Sequence, residues 1–245
     1  GHRLTEAGRQ LLPAVESMES AVLGAERAAP ASHEGPSGLV RVGATEGFGT
    51  LILAPQLAHL TRKHPHLSID LLALPRMLHL SRREADIVIS LERPTRGSVI
   101  VSRLSDYALY LYGQREYLAR KPLVSCREDL RHHAFVSYVD DLLFTKELQF
   151  LDQLYPPERF AMRSTSVTAQ YEAVRAGAGL AVLPAFLADT DPVLARVLPQ
   201  EARFTRTFWM SMPAEAKHLA RMQAVWSFLK EVGQGESGRL RPDRR

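Results

Sequence analysis

Apolar positions repeat along this chain in two rhythms. The first is helical. Leu11, Val15, Met18, Val22, Ala25 and Ala29 follow one another at alternating spacings of four and three, the seam of a helix packed against another helix. Thr5 in "RLTEAG" suits the start of that helix, because its hydroxyl can accept an orphan backbone N–H, and Glu6 favours the positive end of the helix dipole. Pro13 predicts a kink or a junction in the first turns. An amphipathic helix lying on its own domain has the same pattern, but the length of the seam favours a dimerising coiled coil through Leu11, Val15, Met18 and Val22. The helix is expected over residues 5–29. A Pro-, Gly- and Ser-rich linker is expected over 30–37.

From residue 38 the second rhythm begins, with strands broken by helices. "GLVRVGA" (38–44), "LSIDLLA" (67–73) and "ADIVISL" (85–91) read as strands. Between them come a helix over 50–64, with Leu53, Leu57 and Leu60 on one side, and a short helix around Met77–Arg83. "VIVSRL" and "DYALYLYG" (99–113) predict two more strands. A second run follows. It has short helices over 116–131, a strand at 134–139, helices over 146–155 and 166–177, and strands at 179–184 and 204–212. Residues 217–232 close the pattern as an amphipathic helix bearing Leu219, Met222, Trp226 and Leu229. Strand–helix alternation implies a mainly parallel sheet covered on both faces. The pattern therefore predicts two small α/β subdomains preceded by a helical arm.

Composition narrows the function classes. The 245 residues are 45% hydrophobic and 24% charged, ordinary for a globular protein, and no apolar run approaches the ~18–20 residues that cross a bilayer. Cys126 is the only cysteine, so no internal disulfide can form, which fits a reducing cytoplasm. No secretory signal is visible. The net charge of +4 owes much to Arg239, Arg241, Arg244 and Arg245, read as a solvated, disordered basic tail over 236–245. Nine histidines invite a metal reading, but no nearby Cys and no helical His-x-x-x-His pair with a Glu completes a zinc set. Cys126 stands beside Arg127 before a short helix, features that lower a thiol's pKa, yet it lacks a resolving partner. The glycines of "GAGLAV" precede a strand instead of following one, so they are not a dinucleotide site. No nucleophile elbow or P-loop lysine is present. The chain is not expected to be an enzyme, and no cofactor is implied.

Taken together, several segments resemble the LysR-type transcription regulators. "GHRLTEAGRQLLP" is similar to that family's junction between the DNA-binding wing and the linker helix, which would make residues 1–4 the end of a wing. "GLVRVGATEGFGTLILAPQLAHLTRKHPHLSIDLL" resembles the opening of its effector domain. "READIVISL" resembles the third strand, "LYGQREYLAR" the entry to the second subdomain, and "AVRAGAGLAVLP" a late helix–strand element. The resemblance implies a periplasmic-binding-protein-like α/β effector domain over 38–235, with two lobes joined by crossing strands. The first lobe would take about 38–113 and 205–235, the second about 114–204, and the crossings would fall near Tyr112–Gly113 and Phe204–Thr207. It also implies a winged helix-turn-helix before Gly1, through which DNA would be bound, and a homodimer or homotetramer. Only His2 and Arg3 of this chain could touch a phosphate.

In such two-lobed folds ligands sit at the carboxyl ends of strands against helix starts. Two loops answer that description. In "ATEGFGT" (44–50), Gly47 and Gly49 let backbone approach a ligand, Thr45 can donate a hydrogen bond, and Glu46 and Phe48 complete the loop. A plain strand–helix turn capped by Thr45 or Thr50 is the alternative. Glu46 complicates an anion site. It must either point away and serve the helix dipole, or meet a ligand hydroxyl or amine. In "STSVTAQ" (164–170), Ser166, Val167 and Thr168 resemble the family's second contact loop. Leu91, Glu92 and Arg93 from one lobe, and Val139, Asp140 and Asp141 from the other, are further candidates, with a plain surface loop as the alternative for each. Arg93 and Arg103 are the guanidinium forks suited to a ligand carboxylate. The expected effector is a small organic acid. A transporter's solute-binding protein would share lobes and cleft, but it needs neither the heptad helix nor "RLTEAG". An enzyme of the same fold would need a catalytic set that is missing here.

Overall fold

The computed structural model describes residues 5–8, 10–11, 14–15, 35–74, 80 and 84–242. Two compact units divide the chain, Gly1–Gly35 and Pro36–Arg245. In the first, residues 6–8, 10–11 and 14–15 are helical, and the Thr5 hydroxyl accepts the Gly8 N–H at 3.1 Å, the expected cap. Leu11 and Val15 are 63% and 58% exposed. Pro13, Met18 and Val22, and all but Leu80 of the helix expected at Met77–Arg83, lie outside the described residues.

In the second unit, β1 (Gly38–Thr45) pairs in parallel with β2 (Leu67–Leu74) on one side and with β3 (Ile87–Ser90) on the other. The connection from β1 to β2 is one helical run, α1, built from Glu46–Phe48, a wide π turn at Gly49–Leu53, and Ala54–Lys63. Pro55 has no N–H to give the carbonyl four residues back, and the widened turn meets that loss. Ile52, Leu53, Leu57 and Leu60 of α1 are buried against the sheet. Gly49 is required by this packing. A Cβ there would stand 2.7 Å from the Ala73 Cβ of β2.

The segment 99–113, expected as two strands, is a single long strand, β4 (Val99–Gln114), with a bulge between Arg103 and Ser105. The bulge explains the broken pattern, since the extra residue, Leu104, shifts the alternation by one. After α2 (Arg115–Ala119) the second lobe forms on β5 (Phe135–Ser137), β6 (Phe160–Arg163) and β7 (Leu180–Pro184), which pair in parallel. The helix expected over 146–155 is two short turns, Lys146–Leu148 and Leu151–Leu154. α3 (Val167–Arg175) joins β6 to β7. α4 (Ala185–Ala188) and β8 (Leu194–Val197) follow.

β9 (Arg203–Pro213) then runs antiparallel along β4 from Tyr110↔Arg203 to Val99↔Pro213, and its far end pairs with β3. β4 and β9 are thus the two strands shared by both lobes. Tyr112 and Gly113, where the first crossing was expected, already pair with β7 and β8, so β4 crosses earlier, near 105–108 opposite 205–208. α5 (Ala220–Gly235) returns to the first lobe and buries Met222, Val225, Trp226, Leu229 and Val232.

The disordered tail expected from residue 236 is corrected for 236–242. α6 (Ser237–Leu240) follows α5 directly, and Leu240 is fully buried. Arg241 binds Asp106 on β4 at 2.8 Å, and Glu236 accepts from Gln56 of α1 at 2.8 Å. The arginine count concealed one large apolar residue and one carboxylate waiting on a neighbouring strand. Together they make ordering this segment favourable.

Candidate functional site

The carboxyl end of β1 and the start of α3 face each other across the crossing strands, as the fold requires. Between them lies a cavity of about 40 Å³. Thr45, Glu46, Gly47 and Phe48 line it from the first lobe with Leu91. Val167, Tyr138, Phe144, Leu148, Pro184 and Phe186 line it from the second, and Tyr107, Leu109 and Phe208 from the crossing strands. Aromatic rings fill most of the cleft. Phe208 lies 4.2 Å centroid-to-centroid from both Phe48 and Tyr107, the latter nearly parallel, and Phe186 stands 5.9 Å from Tyr107. Burial pushes the Tyr107 and Tyr138 hydroxyls well above the ordinary phenol range, so both stay neutral donors.

Glu46 has a partner within the protein that the sequence did not indicate. It leads α1, but its carboxylate reaches the other lobe. There it accepts the Val167 N–H at 3.0 Å and the Ser166 hydroxyl at 2.8 Å. Ser166 in turn caps α3, accepting the Ala169 N–H at 3.0 Å. Gly47 allows this approach, because a Cβ on it would lie 3.0 Å from Val167 Cγ1. Thr45 occupies the cap position of α1 without a side-chain cap bond. A second lobe-to-lobe bond joins Glu92, after β3, to the buried Thr145 hydroxyl.

Of the residues singled out from sequence, Thr45, Glu46, Gly47, Phe48, Leu91 and Val167 come together at the cavity. Ser166 adjoins it through Glu46. Arg93, Val139 and Thr168 are not among the lining residues. Arg93 lies over the Trp209 ring at 5.5 Å, and Arg103 pairs with Asp106 on its own strand, so neither fork is aimed at the cleft. Tyr107, Tyr138, Phe144, Phe186 and Phe208 were missed. The alternation of Tyr107 with Leu109 on β4 was the available signal, but which face of a crossing strand meets the cleft depends on the lobes. Elsewhere, the contacts of Cys126 act against the lowered thiol pKa that Arg127 and the following helix suggest in the sequence. Hydrogen bonding to the Glu128 carboxylate, with Asp129 also in contact, pushes the thiol up.

Known proteins share this fold. The LysR substrate binding domain family matches residues 33–234. The Mau operon transcriptional activator of Paracoccus denitrificans is 31% identical over 189 residues, 76% of this chain and 61% of that protein. The chain thus spans about three-fifths of that relative's length. Among solved structures, the regulatory domain of CrgA from Neisseria meningitidis superposes with a TM-score of 0.69 at 20% identity, covering 80% of this chain and 98% of that one. The effector domain of AmpR from Pseudomonas aeruginosa gives 0.66 at 19% identity, with 82% and 98% covered. These likenesses show the two-lobed, periplasmic-binding-protein-like fold. Among the described residues no helix is long and apolar enough to cross a membrane.

Proposed function

This chain belongs to the LysR substrate-binding-domain family, and we propose that it is the sensing part of a cytoplasmic transcription regulator that answers to a small molecule between its lobes. The observation that carries the proposal is the pairing of β4 with β9 across two lobes that line one cavity with residues 45–48 from the first and Val167 from the second. Strands shared by both lobes let them rotate about a narrow waist. A ligand with different affinity for open and closed forms therefore shifts their populations.

Effector contacts are assigned to Thr45, Gly47, Phe48, Leu91, Ser166 and Val167, with Tyr138 and Phe208 added. The N–H groups that begin α3 suit a small organic acid once Glu46 leaves them. DNA contact would rest with a winged helix-turn-helix elsewhere in the whole protein, and oligomer formation with the exposed Leu11 and Val15 and the seam that continues through Met18 and Val22. The transporter reading is disfavoured because the matched relatives are regulators.

The test pairs two measurements. The chain is screened by thermal shift against aliphatic and aromatic acids, neutral aromatics and amines, and each hit is repeated on Phe208→Trp, which overfills the cleft. Hits that survive Phe208→Trp unchanged would place the ligand elsewhere. Full-length protein is then footprinted on its own promoter with and without the hit. An unchanged footprint would refute a sensing role.

A further inference from the structure

Glu46 seats a carboxylate where a ligand's carboxylate would go. Its two oxygens take one backbone N–H at the start of α3 and the hydroxyl that caps it, at 3.0 and 2.8 Å. A carboxylate accepting from an amide and a hydroxyl is the bonding an organic acid would make there. This carboxylate comes from the opposite lobe, so making the bond closes the cleft. Glu92 does the same a short way along the interface, accepting from Thr145. The remaining cavity, about 40 Å³, has room for water alone, against the ~300–1,000 Å³ of ordinary ligand sites. Gly47 and Val167 meet so closely that a Cβ on the glycine would lie 3.0 Å from Val167 Cγ1.

We infer that Glu46 is a built-in occupant of the effector's anion seat, so that an acidic effector acts by exchanging its carboxylate for that of Glu46. The inference rests on the proposed sensing function. Two consequences follow. The domain reaches its closed form without ligand, because the latch is part of the chain. An acid must displace an intramolecular competitor whose effective concentration is high, so its affinity for the native chain is low. Once seated, the acid leaves Glu46 unpaired beside a second negative charge, which drives the lobes apart. Binding thereby opens this cleft, the reverse of a ligand that clamps two lobes shut.

The experiment uses the 245-residue chain with sodium acetate as the probe and equal sodium chloride as the control. Glu46→Ala empties the seat. Its melting temperature is expected to fall by several degrees, with acetate restoring most of the loss and chloride none of it. Calorimetry is expected to show acetate binding at least tenfold tighter than to the native chain. Glu46→Gln keeps the volume and fills the seat with an amide, so it is expected to be destabilised without recovery in acetate. Because this second variant is isosteric, it reads the same contacts if the alanine variant folds poorly. Equal acetate affinity in the native and alanine chains would overturn the inference, as would recovery of both variants alike or a native-like melting temperature in Glu46→Ala. A ligand screen without hits on the native chain would count against the sensing function alone, since acetate recovery in Glu46→Ala does not need a natural effector.

Discussion

Leu240→Ala tests whether the C-terminal segment belongs to the fold. Leu240 has no exposed surface although it stands within six residues of the last one. Its helix packs on β4 and on α4, and its neighbour Arg241 binds Asp106 at 2.8 Å. Burying a leucine side chain contributes about 1.5–3 kcal/mol from transfer alone. Truncation to alanine in packed interiors costs about 2–5 kcal/mol, the larger values where the cavity cannot collapse. A short terminal helix can settle into the space it loses, so the lower part of that range, about 2–3 kcal/mol, is expected. At about 2–4 °C per kcal/mol for a chain of this size, the melting midpoint should fall by about 4–12 °C. Calorimetric melting of the full chain measures it, with Arg239→Ala as the control. Arg239 is half exposed and pairs with Glu236 of its own turn, so its loss should stay within about 1 kcal/mol. A midpoint for Leu240→Ala within about 1 °C of the native chain would refute the argument, because it would mean the segment is not packed under native conditions.

Three further outcomes are expected. Gly179→Ala would place a Cβ 2.2 Å from the Ala134 carbonyl oxygen, which accepts the Leu180 N–H, and should cost about 1–3 kcal/mol or more in a urea titration; a native-like midpoint would contradict it. Burial opposes ionisation of Asp106, but hydrogen bonds from Thr207 and Arg103 and the charges of Arg103 and Arg241 outweigh it and hold the carboxyl below 3.8. Its stabilisation is therefore complete above pH 3.8 and lost as pH falls through the folded value, so Asp106→Asn should be less stable at neutral pH and show a shallower decline in acid. Burial, helped by the charge of Lys121 and opposed by a hydrogen bond with the Pro122 backbone, lowers the His133 pKa below 6.5. The native chain should lose stability as pH drops below about 6.5, and His133→Phe should flatten the slope between pH 7 and 5; identical slopes would rule that histidine out.

Local chemistry read in one dimension settled most of the elements. Leu53, Leu57 and Leu60 at helical spacing are buried on α1, and Met222, Trp226 and Leu229 on α5, because a helix turns its apolar stripe to the core wherever the core lies. Thr5 caps its helix since a cap needs only the next few residues. Ordered together, such segments sufficed to reveal the family and to bring the loops at 44–50 and 164–170 to one place. What they could not reveal depends on partners far along the chain. Glu46 and Val167 are 121 positions apart, Asp106 and Arg241 are 135, and nothing near Glu46 says that its carboxylate will cap a helix in the other lobe. The same holds for the rings of Tyr107 and Phe208, whose face of the crossing strands became cleft lining only when the two lobes closed. Short-range periodicity determined what each segment is. Long-range packing decided that the expected ligand seat is taken by the protein's own carboxylate, because charges and rings find their partners through space and not through sequence.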